Sequence, residues 1–193
     1  MKLILGISGA SGVVYGIRIL EALHHLGVYI HLVISTAGKK TIQLETSYPI
    51  ETVEALASEV HNIENIGASI ASGSFKTDGM VIAPCSVKSL SAIANSYNDN
   101  LLVRAADVCL KERRKLILLV RETPLHAGHL ELMLKVARLG AIIMPPLPAF
   151  YNHPQTIEDI INHTTGKVLD QFDLAYAMFR RWQGENTLAG TEK

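Results

Sequence analysis

The chain has 193 residues, a length at which one domain buries about 70 % of its unfolded surface. Lysine plus arginine and aspartate plus glutamate both number 18, so no net charge exists to draw in a nucleic acid. Hydrophobic residues make up 48 %, yet no apolar run approaches the roughly 18 residues of a membrane span.

Residues 1–8 form a short apolar run ending among glycines, which predicts a buried parallel strand. Its apolar core, Leu3 to Leu5, is cut at once by Gly6, Ser8, Gly9 and Ser11. That is too short for a secretory leader, so a cytoplasmic protein is expected. Helical spacing follows over 12–26 (Val13, Ile17, Ile19, Leu20, Leu23) and stops at Gly27. A second strand over 28–34 and a helix over 36–46 complete a βαβ beginning. Residues 47–76 have weak periodicity, with a short helix expected near 53–60. A third strand is predicted at 79–83, then helices at 86–94 and 100–111. A fourth strand at 116–120, a helix at 127–139 and a fifth strand at 141–144 follow. A proline-rich loop covers 145–154, and a helix runs from 156 to about 172. Five strands alternating with helices predict a single doubly wound, parallel α/β domain over residues 1–184, with residues 185–193 a frayed tail. Cys85 and Cys109 lack metal or disulfide spacing, which suits a reducing compartment.

In such a sheet the ligand lies at the C-terminal ends of the strands. The first strand ends in Gly6-Ile7-Ser8-Gly9-Ala10-Ser11-Gly12 and runs straight into a helix. Glycines permit close backbone approach, while hydroxyls and a helix N-terminus favour a phosphate. The loop is not the G-x-G-x-x-G of dinucleotide sites, and residues 33–38 carry no acidic ribose reader. A tight turn that only packs helix on strand would use the same residues. After the third strand, Ala83-Pro84-Cys85-Ser86-Val87-Lys88-Ser89 repeats the logic, with Ser86 placed to cap a helix. Ser86 as a cap and nothing more is the plainer alternative. Two hydroxyl-rich helix starts on strand ends predict one phosphate-bearing ligand held across them.

Five segments together resemble one family. They are GISGASG at 6–12; Ala83-Pro84-Cys85-Ser86; Asp99-Asn100-Leu101-Leu102 with Arg104-Ala105-Ala106-Asp107-Val108; Val120-Arg121-Glu122-Thr123-Pro124-Leu125; and Pro148-Ala149-Phe150-Tyr151-Asn152-His153-Pro154-Gln155. In this order, from residue 2 to about 170, they resemble the UbiX-type flavin prenyltransferases. The resemblance implies a flavodoxin-like Rossmann fold and reduced FMN as co-substrate. It also implies transfer of a dimethylallyl group from dimethylallyl monophosphate to N5 and C6 of the flavin. The product would be the prenylated cofactor of a UbiD-type aromatic acid decarboxylase. By the same resemblance Gly9, Ala10, Ser11, Ser35, Ser86, Val87, Lys88, Ser89 and Arg121 contact the flavin. Arg104, Lys111, Tyr151 and Lys167, with Arg121, surround the donor phosphate. Ser11, Glu45, Lys111 and Glu122 are the implied catalytic groups, the two carboxylates handling protons. Ser89 replaces the threonine of many relatives and keeps the hydroxyl; Lys167 replaces an arginine of some and loses the bidentate fork.

A leaving phosphate handled without a metal needs several cations and donors aimed at its oxygens. No DDxxD-type acidic cluster is present to hold magnesium, and no metal is expected. His126, His129 and Glu131 are better read as a surface or interface face than as ligands. Glu45 on a solvated helix face and Glu122 in a local ion pair are the plainer readings of those two. Cysteine decarboxylases that use a flavin share much of the flavin loop, but their PxMNxxMW-like clamp has no match at residues 149–154. A non-catalytic flavin carrier beside a decarboxylase is a third reading. The apolar excess and the stiff, aromatic loop at 145–154 predict a homo-oligomer, which the resemblance makes a dodecamer with a shared active site.

Overall fold

The computed structural model describes residues 1–177, 179, 181, 182 and 184, so the tail expected at 185–193 lies outside the described residues. Its contacts divide into two compact units, Met1–Pro146 and Leu147–Lys193.

In the first unit, six strands make one wholly parallel sheet: β1 Lys2–Ile7, β2 Tyr29–Ile34, β3 Glu59–His61, β4 Gly79–Cys85, β5 Lys115–Val120 and β6 Ile142–Ile143. Their order is β3-β2-β1-β4-β5-β6. Without the three-residue edge strand β3, that is the flavodoxin-like order 2-1-3-4-5. The helices are α1 Val13–His25, α2 Thr36–Glu45, α3 Ile50–Glu54, α4 Val87–Ala94, α5 Leu101–Lys111 and α6 Ala127–Arg138.

The central strands read as unbroken apolar runs because both faces are covered. Leu3, Ile4, Leu5 and Ile7 of β1, and every residue of β4, are buried. Alternation then assigns the faces. Ile4 joins Met80 and Ile82 in the cluster that α4 and α5 close with Leu90, Ile93, Leu102 and Ala106. Ile7, on the opposite face, packs toward α1, where a Cβ on Gly16 would stand 2.2 Å from the Ala83 carbonyl oxygen. Only glycine lets α1 lie that close to β4. Burial of Ile17, Leu20 and Leu23 along α1 contributes about 1.5–3 kcal/mol per side chain.

The sheet has one strand more than the sequence pattern predicts. Residues 53–60 do not form the expected helix; α3 starts earlier, with Pro49 at its N-cap, and β3 occupies Glu59–His61. Three residues are too few for a period to show, and β3 exists only through its pairing with β2.

The second unit is built on α7, Ile157–Asp170. Thr156 accepts from Asp159 N while Asp159 Oδ2 accepts from Thr156 N, a reciprocal cap that fixes the helix start. Tyr151 Oη lies 2.8 Å from His163 Nε2, and Arg181 pairs with Asp170.

Candidate active site

The chain leaves β1 toward β2 on one side and resumes at β4 on the other. The C-terminal ends of β1 and β4 therefore diverge into a crevice. One buried hydroxyl joins the two ends. Ser8 Oγ donates to Pro84 O at 2.7 Å and accepts from Ser86 N at 2.8 Å.

At this point lies a cleft of about 680 Å³, lined by Gly9, Ser35, Thr36, Ala37, Lys40, Ile63, Glu64, Ser86, Lys88, Ser89, Ala92, Asp99, Asn100, Leu102 and Val103. Three helices begin at it. Ser35 Oγ caps α2 through Gly38 N at 2.9 Å. Ser86 Oγ caps α4 through Ser89 N at 3.3 Å. Asn100 Oδ1 caps α5 through Val103 N at 3.1 Å. Each helix start carries main-chain N–H groups with no intrahelical partner and the positive end of a dipole. Three of them on one cleft suit a phosphate, while Ala92, Leu102 and Val103 supply an apolar wall. Gly9 sits where a Cβ would come within 2.4 Å of Ala37 Cβ, so the loop after β1 presses against the start of α2. The volume lies within the range of small-molecule sites, and an apolar wall beside phosphate-seeking helix ends fits a flavin mononucleotide.

Of the residues expected to hold flavin, Gly9, Ser35, Ser86, Lys88 and Ser89 line this cleft. Lys88 reaches Asp99 at 3.8 Å. Ala10 and Ser11 continue the Gly9 loop, with Ser11 exposed. Val87 does not face the cleft. It points instead into a neighbouring hollow of about 560 Å³ with His126 and His129, because successive helical residues diverge by about 100°. Arg121 closes β5, its N–H donating to Cys85 O at 3.2 Å, one strand over from Ser86.

The expected catalytic and phosphate residues are dispersed within the chain. Glu45 does not lie on a plain solvated face: its Oε2 accepts from Gly12 N at 2.8 Å and Val13 N at 3.4 Å, capping α1 from across the chain. Glu122 is exposed and accepts from Thr123 N at 3.1 Å, and among the described residues it forms no salt bridge with a basic side chain. Arg104 pairs with Asp107 at 3.2 Å and donates to Ala71 O. Lys111 pairs with Glu112 at the far end of α5, eight residues beyond the cleft-lining Val103, or about 12 Å along the helix. In its own protomer it does not border the cleft. Tyr151 and Lys167 belong to the second unit, where Lys167 Nζ stands 4.0 Å from Asp170. Sequence reasoning passed over Thr36, Lys40, Ile63 and Glu64 on the rim, and the Ser8 link beneath it. Asp99 and Asn100 were visible as a motif but carried no role.

The flavoprotein family model matches residues 1–170. A flavin prenyltransferase UbiX from Thauera aromatica is 60 % identical over 184 residues, 95 % of each chain. The chain belongs to the UbiX family of flavin prenyltransferases. Solved structures of the family agree with it in shape. A dodecameric FMN-dependent UbiX-like decarboxylase from Escherichia coli O157:H7 superimposes with TM-score 0.93 at 52 % identity, covering 95 % of this chain and all of that one. AnUbiX (PadA1), in complex with FMN and dimethylallyl pyrophosphate, gives TM-score 0.94 at 49 % identity over 95 % and 97 %. The flavoprotein match extends through α7, so it takes in the first unit and the second as far as Asp170.

Proposed function

We propose that this chain is a flavin prenyltransferase that joins a dimethylallyl group to reduced FMN, working as a cytoplasmic homo-oligomer whose two units act as one domain. The observation that carries the reading is the cleft at the β1/β4 ends with three capped helix starts, in a chain of UbiX descent. Reduced FMN would supply the nucleophilic N5 and the ring carbon C6. The donor's allyl carbon is the electrophile, and its C–O bond breaks so that inorganic phosphate leaves with the bonding pair while the five-carbon group stays on the flavin.

The chain's own groups divide the work. Ser35, Ser86 and Ser89, with the N–H groups behind them, hold the flavin phosphate and orient the ring. Arg104, Lys111, Arg121, Tyr151 and Lys167 meet the donor phosphate, where positive charge and donors stabilise the departing oxygens. Neither Arg104 nor Lys111 lines the cleft of its own chain, so in this reading their charge serves a neighbouring copy's pocket. Exposed Leu130 and Leu134, one turn apart on α6, give such neighbours an apolar surface. Glu45 fixes the Gly12 end of the loop that carries Ser11, and Glu122 beside Arg121 exchanges protons with the reacting ring. The donor is dimethylallyl monophosphate and the product serves a UbiD-type decarboxylase; a dodecamer like that of the E. coli relative is the expected assembly.

Anaerobic incubation of the protein with reduced FMN and dimethylallyl monophosphate, followed by mass spectrometry of the extracted flavin, tests this. A gain of one C5H8 unit is expected. Unchanged flavin, or carbon dioxide released by this chain alone from a hydroxybenzoate, would sink the reading.

A further inference from the structure

We propose that His31, His61 and Glu59 form a binding site for one divalent transition-metal ion of the zinc type, at the β2–β3 edge and apart from the flavin cleft. The strand register builds it. His31 of β2 pairs with Glu59 of β3, and His61, two residues on, emerges on the same face as Glu59. His31 Nδ1 and His61 Nε2 are 2.9 Å apart. Glu59 Oε2 is 3.3 Å from His31 Nδ1, and Glu59 Oε1 is 3.6 Å from His61 Nε2. Tetrahedral zinc with bonds of about 2.0–2.2 Å separates its ligand atoms by about 3.3–3.5 Å, so shifts of a few tenths of an ångström suffice. Two histidines and one glutamate are a ligand set zinc accepts, with a fourth position left for water.

The surroundings favour the ion further. Both imidazoles are buried, His31 at 1 % exposure, so their ligating nitrogens are shielded from bulk water. Glu59 supplies the negative charge and remains 44 % exposed, leaving water access on its side. Phe75 stands edge-on to the His31 ring at 5.2 Å and Tyr29 lies at 5.1 Å. Among the described residues His31 Nε2 has no hydrogen-bond partner, and Nδ1 is the nitrogen of that ring that faces the cluster. Lys2 opposes a cation here, and its ammonium is spread over the faces of Phe75 and Tyr29. Each imidazole stays neutral on binding: the ring that donates in the His31–His61 hydrogen bond shifts its proton to its other nitrogen, so both facing lone pairs are free for the ion and no net proton is released. The ion would pin β3 to the sheet, and with it Ile63 and Glu64, which border the cleft two and three residues beyond His61.

Chelator-treated full-length protein titrated with cobalt(II) reads the site directly through visible d–d absorption, with zinc displacing the signal. One ion per chain is expected, with binding about tenfold weaker or worse in both Glu59→Gln and His61→Asn. Zinc should raise the melting temperature of the parent chain and not that of Glu59→Gln. Circular dichroism confirms that each variant is folded; Glu59 is exposed, so its variant keeps the test open if His61→Asn does not fold. No saturable signal at millimolar cobalt would overturn the proposal and leave a plain histidine hydrogen bond. Binding undiminished in a folded Glu59→Gln would place the ion elsewhere and overturn it equally.

Discussion

Replacing Ser8 by alanine removes one oxygen from the junction that creates the crevice. The hydroxyl is 1 % exposed, donates to Pro84 O at 2.7 Å and accepts from Ser86 N at 2.8 Å. Pro84 O keeps a second partner, since Ser8 N also donates to it at 3.2 Å. Ser86 N loses its acceptor. Leaving one buried donor unpaired costs about 1–3 kcal/mol, and the lost hydroxyl bond to Pro84 adds about 0.5–1 kcal/mol. For a chain of this length that total corresponds to a melting temperature lower by roughly 3–15 °C. Urea unfolding by circular dichroism measures it, at fixed protomer concentration because association contributes to apparent stability. The start of α4 should loosen as well, so FMN affinity should fall in step. A Ser8→Ala protein within about 0.5 kcal/mol of the parent, the ordinary range for a surface change, would refute the junction's importance.

Gly9→Ala should weaken FMN binding by about tenfold or more, because its Cβ would stand 2.4 Å from Ala37 Cβ and displace the start of α2; an unchanged titration would show that the contact gives way freely. Arg104→Ala and Lys111→Ala should each slow prenylation by roughly 1.5–3 kcal/mol, a ten- to hundredfold effect, while FMN binding holds. Equal losses of both properties would move these residues into the flavin site or the fold. Burial pushes the Cys85 thiol up to about 12, so iodoacetamide at pH 8 should leave it unmodified until the protein is denatured. His163 is held below its usual pKa, first by burial and then by Lys167, so the unfolded chain takes up its proton first. Stability is therefore full above about pH 6.5 and declines as the pH falls through the depressed value. The difference in melting temperature between parent and His163→Gln should shrink over that window, and a constant difference would count against it.

The two loops after β1 and β4 were legible because their chemistry is local. Glycine, serine and the helix that follows stand side by side in the chain, so Gly9, Ser86 and Ser89 could be placed on strand ends from spacing alone. Ser35 was reachable through resemblance, and its cap on Gly38 explains its residue type. Val87 shows the resolution limit of a motif, since one step along a helix turns a side chain into another hollow. Glu45 bonds Gly12 across 33 positions, a contact no window of sequence contains. Strand β3 eluded the pattern because three residues have no period and their pairing is with a distant partner. Lys111 is set by the length of α5, which carries it away from the helix end where the cleft lies.

The attraction for phosphate at the cleft is written mainly into peptide groups. Capped helix starts present N–H dipoles whose strength does not change with proton concentration over the range in which proteins survive. A mononucleotide held there would register its own ionisation and little of the protein's. Grip on the flavin phosphate would stay level across that range. With the flavin phosphate seated at these helix starts, the main chain would do the holding at any pH the fold survives, and the reacting groups would be left to respond to pH on their own.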